Sequence, residues 1–99
     1  MDTEKQKEVW DHFVEVHYSD KPRLRDLFKR SDIVETENGF EIRIPVVHPM
    51  QEEWLILYGL GETHSLIEQY SSEYPDLQKM SFAFIREDGT IVRLGSNWR

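Results

Sequence analysis

The stretch over residues 39–57 constrains the fold more than any other part of the chain. In its first half, apolar side chains at every second position alternate with other residues, which is the pattern of a strand that buries one face. The Asn38-Gly39 pair at its start favours a tight turn, because both residue types tolerate a positive φ. Acidic residues follow Pro49 and favour the first turn of a helix, where the helix dipole stabilises negative charge. The sequence therefore predicts a strand that follows a hairpin turn and leads directly into a helix.

Two helices are predicted before this stretch. Apolar side chains at i, i+3, i+4 and i+7 indicate a first helix over residues 3–18. Ser19-Asp20 is expected to end that helix, and Pro22 is expected in the first turn of a second one that runs to about residue 30. Because only a tight turn joins them, the two helices are predicted to form a helical hairpin.

Two further helices are predicted after the second strand. Gly59 or Gly61 is expected to end the third helix, because glycine is typical just beyond a helix C-terminus. Thr63 is expected to cap a fourth helix over residues 64–74, since a threonine hydroxyl can accept a hydrogen bond from the first turn.

Four strands are predicted to form the sheet. The first covers residues 33–36, and the last two cover residues 80–85 and 90–94, joined by an Asp-Gly turn. Pro45 cannot donate a ladder hydrogen bond, so the second strand is expected to be unpaired on one side near its C-terminal end. The order ααββααββ predicts an α+β fold: a helical hairpin, a β-hairpin, two helices and a second β-hairpin, with helices packed on a small, mainly antiparallel sheet. A chain of 99 residues is expected to form one domain, residues 1–99.

The residue spacing predicts no catalytic or metal-binding group. The chain has no cysteine, which excludes a disulfide, a thiolate metal site and a cysteine nucleophile. Its four histidines show no metal-binding spacing with each other or with carboxylates. The Gly59-x-Gly61 sequence lacks the third glycine and the lysine of a phosphate-binding loop. We therefore expect no catalytic residue, no metal and no cofactor, and a protein that is not an enzyme.

The N-terminal segment MDTEKQKE is too acidic and polar for a signal peptide. No apolar run approaches the roughly 18 residues that a membrane-spanning helix requires. The sequence therefore predicts a cytoplasmic protein without membrane contact.

Charge is unevenly distributed along the chain. The formal net charge of −7 disfavours general affinity for nucleic acid, yet residues 21–30 contain five bases and one acid, and the other 89 residues carry −11. One alternative function is therefore a nucleic-acid contact through this basic segment, although a solvated helix face explains it as well. Its bases are Lys21, Arg23, Arg25, Lys29 and Arg30.

A further alternative is an acidic inhibitor or immunity-type protein, which requires acids gathered on one face.

The consecutive apolar residues 54–58 provide more apolar surface than one core-facing side of a helix can absorb. Exposed Trp and Tyr are favoured anchors at protein interfaces. The main hypothesis is therefore a non-catalytic protein-interaction module that binds its partner through the third helix and the C-terminal strand. The predicted contact residues are Trp54, Tyr58, Ile91, Arg93 and Trp98.

The sheet edges indicate a second mode of association. The last predicted strand, residues 90–94, is mostly apolar, and Arg93 is its only charged residue. Unpaired strand edges are templates for the addition of another strand. We therefore expect either a symmetric homodimer through a sheet edge or a partner strand added there.

Four short motifs carry a resemblance to a known family. They are Trp10, Lys21-Pro22-x-Leu24, Ile42-x-Ile44-x-Val46 and Gln51-Glu52-Glu53. With the order of elements around them, over residues 10–56 and loosely on to residue 85, they resemble the C-terminal domain of the bacterial DNA polymerase III gamma/tau subunit. The resemblance implies a KH-like α+β module that serves clamp-loader organisation in DNA replication by binding other replisome subunits, not by catalysis. The ATPase domain of that family, with its phosphate-binding loop, has no counterpart in these 99 residues.

Overall fold

The computed structural model describes residues 3–37 and 39–95, and the helices and strands within them follow the predicted order. The helices are α1 (Thr3–His17), α2 (Pro22–Lys29), α3 (Pro49–Trp54) and α4 (Leu60–Gln69). A π-helical turn (Leu55–Gly59) joins α3 to α4, and a 3₁₀ helix (Pro75–Lys79) precedes the third strand. The strands are β1 (Asp32–Thr36), β2 (Gly39–Val46), β3 (Met80–Arg86) and β4 (Ile91–Gly95). None of these described helices is long and apolar enough to cross a membrane.

The strands form one mixed sheet in the order β1-β2-β3-β4. The outer pairs are antiparallel hairpins, whereas the central strands β2 and β3 pair in parallel. The helical crossover between β2 and β3 allows this pairing, because parallel neighbours need a long connection. Both hairpins turn at a glycine with positive φ, Gly39 at 149° and Gly89 at 88°; Asn38 lies outside the described residues. The predicted α+β fold with two hairpins and helices packed on the sheet is confirmed.

β2 extends further than its neighbour β1. The pairing of these two strands covers only residues 39–43 of β2, so its last three residues pair with β3 alone. Pro45 lies in this singly paired part. The prediction that β2 is unpaired on one side near its C-terminal end is confirmed.

The helical segment between β2 and β3 is continuous, so the predicted stop at Gly59 or Gly61 is wrong. α3, the π-helical turn and α4 follow one another without a gap. Thr63 does not cap a fourth helix but lies inside α4, where its hydroxyl donates to the Gly59 carbonyl oxygen at 2.9 Å. α4 also ends at Gln69, earlier than the predicted residue 74.

Core packing explains why two glycines do not end this helix. Leu55 and Leu60 are both fully buried, and their separation of five residues matches the π-helical hydrogen-bond spacing. The Leu60 N–H donates to the Leu55 carbonyl oxygen, so the turn accommodates one extra residue. Burial of two leucine side chains is worth about 3–6 kcal/mol. Each glycine in a helix costs about 1 kcal/mol relative to alanine, so the burial of the leucines outweighs the glycine penalty.

The helices pack on one face of the sheet. The Trp10 indole N–H of α1 donates to the Phe28 carbonyl oxygen of α2 at 2.9 Å and ties the two helices together. The sheet contributes alternate side chains of its central strands to the same core: Ile42, Ile44, Val46, Phe82 and Phe84. Because side chains alternate across a strand, the residues between them face away from the helices.

A charged cluster occupies this opposite sheet face. The Glu41 carboxylate accepts hydrogen bonds from Arg43 Nε at 2.9 Å and from Arg93 Nε at 3.1 Å. Only 5% of the Glu41 side chain is exposed. A buried carboxylate is costly unless it is paired and hydrogen-bonded, and the two arginines meet that requirement. We call these three residues the sheet-face cluster.

Candidate protein-interaction surface

α3 begins at a well-defined cap directly after β2. Pro49 occupies its first turn, where a backbone N–H would have no carbonyl partner within the helix, so proline costs no hydrogen bond there. His48 Nδ1 accepts the Met50 N–H at 3.1 Å, and Gln51 Oε1 accepts the His48 N–H at 3.2 Å. These reciprocal bonds satisfy backbone donors at the helix start and so fix where the helix begins.

An ion pair also attaches α3 to the end of β3. Arg86 Nε and Nη2 donate to the two carboxylate oxygens of Glu52 at 2.9 and 3.1 Å. A two-point contact between guanidinium and carboxylate defines orientation as well as distance. α3 therefore presents its other side to solvent in a fixed orientation.

That solvent-facing side is apolar. We call it the α3 apolar surface, and it consists of Met50, Trp54, Leu57 and Tyr58. Their exposed fractions are 67%, 46%, 64% and 69%, respectively. Met50, Trp54 and Tyr58 recur every four residues and therefore lie along one side of the helical segment, with Leu57 beside them. Large apolar side chains exposed together, unlike single ones, mark interaction sites.

The π-helical turn determines which part of the apolar run is exposed. It places Leu55 and Leu60 in the core five positions apart. Ile56, Leu57 and Tyr58 fall between them and are all exposed. The extra residue of the turn thus adds apolar surface on the outside without removing a leucine from the core.

A groove of about 880 Å³ lies between α2 and α3. Leu24 and Leu27 of α2 are nearly buried and form its apolar floor, and Trp54 of α3 lines it from the other helix. Arg23 and Arg30 line its α2 side. We call this the α2–α3 groove. A smaller depression of about 370 Å³ shares Arg23, Leu24 and Trp54 with it and continues towards the start of α2.

Three of the five bases in the candidate nucleic-acid segment are paired with acids. The pairs are Lys21–Glu62 at 3.2 Å, Arg25–Asp26 at 3.4 Å and Lys29–Glu15. The hydrogen bond from Lys29 lowers the pKa of Glu15. Arg23 and Arg30, by contrast, form no ion pair with a described residue. The bases therefore do not form one uniformly unpaired patch, and the two unpaired ones line the groove.

The acidic-inhibitor alternative requires acids gathered on one face. Four acids instead have basic partners and lie on separate elements: Glu15 on α1, Glu41 on β2, Glu52 on α3 and Glu62 on α4. These contacts favour a mixed surface, and the inhibitor alternative stays a prediction.

Ile91 and Arg93, the predicted contacts on the last strand, lie away from α3. The strand register and the hydrogen bond from Arg93 to Glu41 place them on the sheet face opposite the helices. The structure therefore does not bring them together with the aromatic residues of α3, because side-chain alternation along β4 directs odd-numbered residues away from the helical layer. Trp98, the remaining predicted contact, lies outside the described residues.

Sequence reasoning missed two parts of this surface. Met50 and Leu57 belong to the α3 apolar surface, but neither is among the predicted contact residues, although Leu57 lies in the apolar run 54–58. The spacing of four between Met50, Trp54 and Tyr58 was a usable sign. The α2–α3 groove had no local sign, because α2 and α3 are separated in sequence by a whole β-hairpin and meet only through packing.

The histidines give no sign of a metal centre. Within residues 3–37 and 39–95, no three His, Asp or Glu side chains are close enough to hold a metal ion. The ring of His17 packs against Phe13 and Tyr70, with ring centres 4.8 and 4.7 Å apart. Its buried Nε2 atom has no hydrogen-bond partner in the described part of the chain. His17 therefore belongs to an aromatic cluster beside the core.

Comparison with protein-family models, curated proteins and solved structures finds no match to this chain. The resemblance to the gamma/tau subunit therefore stays a prediction. The function is argued from the geometry of the α3 apolar surface and the groove beside it.

Proposed function

We propose that this chain is a non-catalytic protein-interaction module that binds a partner protein through the α3 apolar surface. The observation that carries the proposal is the joint exposure of Trp54, Leu57 and Tyr58 in a helical segment whose other side is packed in the core. Trp and Tyr are among the residues that most often dominate the binding energy of an interface.

The surface is also suited to binding because it is already ordered. Its cap and the Glu52–Arg86 ion pair hold α3 in place, so a partner does not have to order this helix on binding. Gln51 is half-buried and Glu53 is exposed beside the apolar residues. These two side chains supply the polar rim that usually surrounds the apolar centre of an interface.

Site-specific photocrosslinking in the cells that make the protein tests this proposal. A photoreactive phenylalanine analogue replaces Tyr58 in one variant and Glu73 in a matched control. Glu73 is also exposed, but it follows the end of α4 and is not part of the α3 apolar surface. We expect a discrete protein adduct from position 58 and none from position 73.

A second substitution shows whether the adduct depends on the surface. Leu57→Ser is expected to abolish the adduct from position 58 while the circular dichroism spectrum stays unchanged, because Leu57 is largely exposed and contributes little to the core. An adduct that survives both Leu57→Ser and Trp54→Ala, or equal adducts from positions 58 and 73, would contradict the proposal.

The resemblance to the gamma/tau subunit supports a finer proposal, that the partner is a replisome subunit. Mass spectrometry of the adduct identifies the partner directly. A replisome subunit in the adduct is the expected result. A partner outside the replisome removes this finer proposal and leaves the interaction module intact.

A further inference from the structure

The α2–α3 groove combines an apolar floor with two positive charges that have no ion pair in the described part of the chain, those of Arg23 and Arg30. The other charged lining residues, Asp26 and Lys29, are bound to Arg25 and Glu15 of the same chain. The whole chain carries −7, so this positive rim is a local reversal of sign. A site of this kind attracts acidic ligands and repels basic ones.

The lining residues of α2 are arranged in a row. Arg23, Leu27 and Arg30 are separated by four and three positions, so they lie on one side of the helix. With a rise of about 1.5 Å per residue, the two arginines start about 10 Å apart along the helix axis, and Leu27 lies between them. Trp54 lines the groove from α3. A complementary ligand therefore carries an apolar group between two negative charges.

We propose that the α2–α3 groove binds an acidic segment of a partner protein in which two carboxylates flank one large apolar side chain. The apolar side chain packs between Leu27 and Trp54, and the carboxylates accept hydrogen bonds from Arg23 and Arg30. A separation of about 10 Å corresponds to positions i and i+7 of a helix, which lie on the same side of it. This inference rests on the proposed function, because Trp54 belongs to both surfaces, and it names the chemistry of the partner.

Nucleic acid is the competing acidic ligand, and the groove fits it less well. A phosphate backbone carries regularly spaced charges, and its affinity grows with the number of cations that contact it. The groove offers two unpaired cations separated by an aliphatic floor, because Lys21, Arg25 and Lys29 are engaged by acids of the same chain. A peptide with one apolar anchor between two acids matches this arrangement more closely.

Selection from a random dodecapeptide phage library against the immobilised full chain tests the inference. Enriched peptides are synthesised with a fluorophore and titrated by anisotropy, in parallel with labelled single-stranded and duplex DNA of similar length. We expect enriched peptides to contain two acids around an apolar residue. Their Kd is expected to rise by about tenfold or more in each of Arg23→Glu, Arg30→Glu and Trp54→Ala.

Lys5→Glu is the matched control, because it makes the same charge reversal at an exposed base of α1 outside the groove lining. It is expected to change the Kd by less than about threefold, the range of a screened surface charge. Circular dichroism of each variant verifies the fold.

Four results overturn the inference. The first is that the enriched peptides require Trp54 but lack the paired acids. The second is that they bind Arg23→Glu and Arg30→Glu as tightly as the original chain. Either result excludes an acidic partner segment but does not contradict the proposed function. DNA that binds more tightly than every selected peptide and loses affinity in Arg23→Glu assigns the groove to nucleic acid. Complete absence of Trp54-dependent peptides also overturns the inference, and crosslinking from position 58 then decides separately on the proposed function.

Discussion

At the residue scale, the buried hydroxyl group of Tyr18 connects the end of α1 to the helical crossover. Its oxygen lies 2.5 Å from Thr63 Oγ1, and the Thr63 hydroxyl donates to the Gly59 carbonyl oxygen. Because Thr63 uses its only proton in that second bond, Tyr18 must donate to Thr63. Burial raises the pKa of Tyr18 to about 12.

The raised pKa of Tyr18 predicts a loss of stability at alkaline pH. An unfolded tyrosine has a pKa of about 10, so between pH 10 and about 12 the unfolded chain releases this proton before the folded chain does. The free energy of unfolding therefore falls as pH rises through that window. Tyr18→Phe is expected to cost about 1 kcal/mol at pH 8 through the lost hydrogen bond. Its difference from the original chain should shrink as the pH rises above 10 and change sign before about pH 12, because one pKa unit corresponds to about 1.4 kcal/mol.

Urea unfolding of both chains, followed by circular dichroism from pH 8 to 12, measures this difference. The comparison isolates Tyr18, because the other tyrosines and the lysines titrate in both chains. A difference that stays constant over the whole range would contradict the expected coupling between burial and ionisation.

At the element scale, the π-helical turn keeps Leu55 and Leu60 buried in the core while the apolar residues between them are exposed. Both ends of the helical segment are fixed: α3 by its cap and by Arg86, and α4 by Leu60, Thr63 and Ile67 in the core. The π-helical turn therefore holds one residue more than an α-helical turn would, between two ends that are fixed by packing. Insertions of this kind are frequent at functional sites.

Deletion of Leu57 is expected to convert the π-helical turn to ordinary α-helix. Leu55 and the present Leu60 would then be separated by four residues and would still share a side of the helix. We expect the free energy of unfolding to change by less than about 1 kcal/mol, about the size of one hydrogen bond. Partner binding should be lost, because the α3 apolar surface loses a residue and its remaining side chains are repositioned.

Deletion of Ser65, which is exposed in the regular part of α4, is the matched control. It rotates every later residue of α4 by about 100° and moves Ile67 out of the core, so it should cost more than about 3 kcal/mol. Chemical denaturation compares the two deletions. Equal destabilisation by both would show that the turn does not absorb the extra residue.

The strands are predictable from sequence to within one or two residues because alternation of apolar side chains is a local property. The helix stop at Gly59 is not predictable in the same way, since the burial of Leu55 and Leu60 depends on the core as a whole. The same distinction applies to the interaction surface. A run of apolar residues reveals Trp54 as a candidate anchor, but no local pattern distinguishes Arg23 from the bases that are paired within the chain.

At the scale of the whole molecule, the sheet separates two surfaces of different character. The helices and the α2–α3 groove lie on one side, and the sheet-face cluster lies on the other. Within the described residues, β4 pairs only with β3, and β1 forms the other edge of the sheet. Arg93, the only charged residue of β4, is bound to Glu41 and is therefore directed along the sheet face.

We expect the chain to associate through the outer edge of β4 as a symmetric dimer, because an unpaired strand edge is a template for another strand. Ile91→Lys places a charge on this strand and should restore the monomer. Val34→Lys makes the same kind of change on β1 and should leave the dimer intact. Light scattering at micromolar concentration distinguishes these outcomes. A monomer in all three proteins, or a dimer disrupted only by Val34→Lys, would contradict association through β4.

The parallel pairing of β2 with β3 also has a consequence for the order in which the protein folds. Phe40 pairs with Met80 across the whole helical crossover, whereas each hairpin joins neighbours in the chain. Closing such a long loop loses chain entropy before the new contacts compensate for it. Hairpins and helices can therefore form early, but the sheet is complete only when the crossover has brought its two halves together. The folding rate is accordingly expected to depend on the centre of the sheet more than on its edges.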